Sequence, residues 1–68
     1  MTNDQAKNAM FDGVPVVYDG IEYKCISAMI YRVKRVKNKK YIIPSVELTD
    51  KTAAHSVRIV PINKVNFP

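Results

Sequence analysis

Cys25 is the only cysteine among 68 residues, and that narrows what the chain can fold into more than any other feature. A domain of this length buries only about 60% of the surface its unfolded chain exposes, so its own core gives marginal stability. Small domains commonly add disulfides, a structural metal or a second subunit. A single thiol excludes a disulfide within the chain. One cysteine and one histidine, His55, supply too few ligands for a structural zinc site. No cofactor or metal is implied by any motif. Self-association is the route left, and a homodimer is expected. At 47% hydrophobic residues the composition is that of a folded domain, not a disordered tail.

The lone thiol also fits the reducing cytoplasm. No apolar run approaches the ~18 residues a membrane span needs. The first residues, MTNDQAKNAMFDG, have neither a basic start nor an apolar stretch, so no signal peptide and a cytoplasmic location are expected.

Residues 1–13 are expected to be a helical or flexible segment, and 14–68 one small β domain. Within 3–11, Thr2 or Asn3 offers an N-cap, Gly13 a stop, and Ala6, Met10 and Phe11 a narrow apolar face. Val14–Tyr18 is β-prone. Asp19-Gly20 signals a two-residue hairpin turn, whose central positions both need positive φ. A long strand then runs from Ile21 to about Val36. Its inward face changes halfway, as a bulge or bend at Ser27 and Ala28 would produce. Asn38 is the expected left-handed residue of a hairpin tip at Lys37–Lys39. The return strand, Tyr41–Thr49, alternates from Pro44 on, with Val46 and Leu48 inward and Ser45, Glu47 and Thr49 outward, and Pro44 marks an edge or a bulge. After a turn at 50–54, Ser56–Val60 alternates with Val57 and Ile59 inward. Pro61 ends it, and Ile62–Val65 suits one tight helical turn. About five bent strands and a short N-terminal helix predict a mainly β fold, a small and partly open barrel.

The segments Val46–Asp50 and Ser56–Val65 resemble the closing half of SH3-like barrels, where a hairpin leads into a strand, a 3₁₀ turn and a last short strand. Asp19–Tyr23 through Tyr31-Arg32 is similar to short uncharacterised proteins encoded by phages and mobile elements of Gram-positive bacteria. The resemblance implies a fold and a habit of binding, and no catalytic residues. The chain lacks the acidic loop and paired aromatics of a groove for proline-rich ligands.

An enzyme is not expected. A nucleophile needs a base within hydrogen-bond reach and a third group to orient that base. Cys25, His55 and Asp50 are the only candidates, and packing and turn formation account for them more simply. Two glycines cannot build a phosphate loop.

Net charge is +5, and six of the eleven basic residues fall in nine positions: Arg32, Lys34, Arg35, Lys37, Lys39 and Lys40. No acid lies among them, and Tyr31 and Tyr41 flank the run, where a phenol can stack on a base. Such a hairpin reads as a surface for nucleic acid or for a protein with an acidic face. The competing explanation is a solvated hairpin whose lysines keep strand edges from pairing with other chains. Two functions follow: a nucleic-acid-associated module, or a protein-binding modulator, inhibitor or self-assembling accessory factor. The four tyrosines, Tyr18, Tyr23, Tyr31 and Tyr41, are expected half-buried on the barrel wall, the alternative being an exposed aromatic patch that forms a protein interface.

Overall fold

The computed structural model describes residues 1–53 and 56–68, so His55 and the Cys25–His55–Asp50 grouping lie outside the described residues. The first element, α1 (Asn3–Asp12), is held at both ends by local chemistry. Thr2 Oγ1 accepts from the Gln5 backbone N–H (3.2 Å) and Gln5 Oε1 accepts from the Thr2 N–H (2.9 Å), a capping box that satisfies two orphan donors. Gly13, at φ 67°, donates back to the Ala9 and Met10 carbonyls in a conformation that a Cβ would disfavour.

Ten residues do not make a stable helix in water, so α1 depends on packing. Ala6 and Ala9 are buried and Met10 packs at the core's rim. Phe11 departs from expectation: it is 91% exposed. The inward stripe is Ala6, Ala9 and Met10, spaced i, i+3 and i+4, and Phe11 lies one residue further round the helix.

Among the described residues six strands follow, in two antiparallel sheets. The first sheet has β1 (Val16–Tyr18) at its centre, between β2 (Ile21–Tyr23) and β6 (Val65–Asn66). The second has β4 (Lys39–Thr49) between β3 (Cys25–Val36) and β5 (Val57–Pro61). Asp19 (φ 53°) and Gly20 (φ 73°) form the expected turn between β1 and β2.

The anticipated long strand is broken at Lys24, whose N–H donates to the Thr49 carbonyl at 2.9 Å. That break sends β2 to one sheet and β3 to the other, so six strands appear where about five were expected. The bulge falls at Ser27, as anticipated: Ile26 pairs with Leu48 and Ala28 with Glu47, leaving Ser27 over. Ser27 Oγ donates to Glu47 Oε1 at 2.8 Å. The extra residue resets the alternation and keeps Ile26 and Met29 on one side.

One core joins both sheets and the helix, with Val16, Val46, Leu48 and Val65 wholly buried and Tyr23, Ile26, Val60 and Ile62 nearly so. On β5 the expected faces are reversed. Val60 is buried, whereas Val57 and Ile59 are exposed. The register explains it: Val60 lies opposite core residue Val46, so two-residue alternation turns Ile59 and Val57 outward beside Glu47 and Thr49. Ser45, expected outward in solvent, is on the outer face but buried, because it pairs with Ile30 on one side and Pro61 on the other. Pro44 stands where the β5 partner ends, and the 3₁₀ turn falls at Ile62–Lys64 as expected. No helix among the described residues is long and apolar enough to cross a membrane.

Candidate nucleic-acid interface

β5 pairs with β4 only over Ser45–Thr49, and β3 is itself an edge strand. Beyond those pairings β3 and β4 continue alone as a two-stranded ribbon. Past the Tyr31–Pro44 pair at its root, five cross-strand pairs build it: Arg32–Ile43, Val33–Ile42, Lys34–Tyr41, Arg35–Lys40 and Val36–Lys39. At about 3.3 Å per residue this is a projection of roughly 15 Å or more. The molecule accordingly measures 42 × 22 × 20 Å, and its radius of gyration is 12.5 Å, against about 11 Å for a compact chain of this length.

Paired residues share a face, so the register sorts the charges. Val46 and Leu48 define the core side. Continuing outward on that side come Tyr31 with Pro44, Val33 with Ile42, and Arg35 with Lys40. The opposite side carries Arg32 with Ile43, Lys34 with Tyr41, and Val36 with Lys39. Lys37 and Asn38 form the tip. The left-handed residue there is Lys37 (φ 54°), not Asn38 as expected, because the Val36–Lys39 pairing makes Lys37 the first corner of a two-residue loop. All six basic side chains are exposed.

The two flanking tyrosines do not converge. Tyr41 is on the outer face opposite Lys34, half exposed and open to a partner. Tyr31 is on the core side, and its hydroxyl donates to Asn3 Oδ1 at 3.0 Å, which ties the root of the ribbon to α1. Tyr18 and Tyr23 belong to the wall of the core, Tyr18 under the Arg58 guanidinium at 5.0 Å.

Sequence reasoning missed two features here. Arg35 and Lys40 stand directly opposite each other, and Val33 and Ile42 form an apolar pair that is 61% and 68% exposed. Placing the turn at Lys37-Asn38 in advance would have revealed both.

The other chemistry-bearing side chains are engaged elsewhere. Cys25 is partly buried in β3 opposite Thr49. Asp50 accepts from the Thr52 and Ala53 backbone N–H groups (2.8 and 3.1 Å) and the Thr52 hydroxyl (3.0 Å). The Thr52 N–H foremost, with the other two donors, holds its carboxyl below the ordinary aspartate range. Among the described residues no three His, Cys, Asp or Glu side chains gather as a metal site. Comparison with protein families, curated proteins and solved structures finds no match to this chain.

Proposed function

We propose that the chain is a small non-enzymatic binding module that holds nucleic acid through the basic ribbon. The observation that carries this reading is the Arg35–Lys40 pair within a ribbon that bears six cations and no acid. Like charges directly opposite each other destabilise a strand pair, and an isolated two-stranded ribbon is marginal already. A polyanion would turn the repulsion into attraction and release its own counterions. Two small sheets around one core, with a 3₁₀ turn before the last strand, support grouping the chain with SH3-like barrels that serve binding.

Titration of the protein against labelled DNA and RNA at two salt concentrations tests the reading. Binding should weaken steeply with salt, by about 0.9 in log K per log salt for each phosphate engaged. Absence of binding at low salt removes it.

A second reading, self-association, is favoured by apolar surface away from the ribbon: Phe11 on α1 and Val57 and Ile59 on the outer face of β5. Light scattering coupled to size exclusion should then show twice the 7.7 kDa chain mass at micromolar concentration. A monomer mass that holds as concentration rises would end this second reading.

A further inference from the structure

We infer that the ribbon's ligand is double-stranded DNA and that the ribbon enters its major groove tip-first, one face toward each groove wall. This rests on the nucleic-acid reading and adds the form of nucleic acid and the geometry of docking. The argument is the two-sided distribution of charge. Arg35 and Lys40 project from one face of the ribbon, and Arg32, Lys34 and Lys39 from the other. A single strand lying on a surface meets one face and would leave the other set of cations unused. A duplex groove has a phosphate backbone on each side, so a ribbon standing in it meets phosphates with both faces at once.

Size agrees with this. With its faces toward the walls, the dimension that must fit is the ribbon's thickness, about 10 Å by the face-to-face spacing of packed sheets, and the major groove of B-form DNA, about 12 Å wide, admits a two-stranded ribbon. The ribbon can enter because β5 stops at Ser45 and covers neither face nor edge beyond it. Lys37 and Asn38 at the tip then reach the groove floor as hydrogen-bonding side chains. The major groove of A-form RNA is too narrow and deep for such an element.

The test uses the full chain and three probes: a two-turn DNA duplex, one of its strands alone, and an RNA duplex of the same sequence. Two variants accompany them, Arg35→Ser/Lys40→Ser on one face and Arg32→Ser/Lys34→Ser on the other. Circular dichroism of each variant establishes that it is folded before titration. The expected result is preference for the DNA duplex over both other probes. Each variant should lose about 1.8 from the salt slope, or roughly 60-fold in affinity at 0.1 M salt. Loss confined to one face, or a single strand bound as tightly as the duplex, overturns groove insertion and leaves the broader reading standing. Failure to bind any probe overturns both. Equal binding of the DNA and RNA duplexes also overturns the inference, since it points to contact from outside the grooves.

Discussion

Replacing Lys34, Lys37, Lys39 and Lys40 together by serine should abolish duplex binding and leave the fold intact. If Lys34, Lys39 and Lys40 each engage one phosphate, the three together contribute about 2.7 to the salt slope, roughly 500-fold in affinity at 0.1 M salt, and the contact of Lys37 at the groove floor is lost as well. Stability should change little, because all four side chains are exposed on a projection that the core does not touch. Exposed substitutions usually stay within about 0.5 kcal/mol each. Removing Lys40 also relieves its repulsion of Arg35, which offsets part of any loss. Thermal unfolding followed alongside fluorescence anisotropy separates the two effects. A sharp drop in unfolding temperature would mean that the ribbon is packed against something, and a retained affinity would mean that charge is not what binds.

How far the ribbon could be read in advance depended on which interactions set its geometry. Turn chemistry at Asp19-Gly20, the capping residues Thr2 and Gly13, and the parity change at Ser27 are local, and the structure has each where the residues imply. The 3₁₀ turn after Pro61 is local too. The face that β5 presents is not. Ser56–Val60 has apolar residues at 57, 59 and 60, so either parity satisfies a pattern, and only the pairing of Val60 with Val46 decides. Phe11 shows the same limit on the helix, where two small alanines, not the aromatic, take the close approach to the sheet. For the candidate site, the cluster of cations was plain in the residues. That they divide between two faces, and that Tyr31 is drawn away to Asn3, depends on a register no single strand contains. A small, partly open barrel of about five bent strands was anticipated from strand number and bending. The break at Lys24 instead divides them into two three-stranded sheets.

The largest stability loss is expected from Leu48→Ala, and its comparison is Ile42→Ala on the same strand. Leu48 is wholly buried, opposite Ile26 and within the one core that joins both sheets and α1. Deleting a buried leucine side chain costs about 2–5 kcal/mol, the more so where neighbours cannot collapse into the space. At about 0.05–0.15 kcal/mol per residue, a chain of this length holds only about 3–10 kcal/mol altogether. The substitution therefore removes much of the stability and can leave the domain largely unfolded at room temperature. Ile42 is on the core-side face as well, but six residues further out along β4 on the ribbon, where it is 68% exposed. Its truncation should leave the urea midpoint close to that of the unaltered chain. Urea unfolding monitored by circular dichroism, at two protein concentrations, reads both results. A Leu48→Ala midpoint near the original would place the core elsewhere. An Ile42→Ala loss of comparable size, greatest at high protein concentration, would instead show the ribbon covered by a second copy. The exposed Val33–Ile42 pair would then be the contact between subunits, and the ribbon could not stand free in a groove.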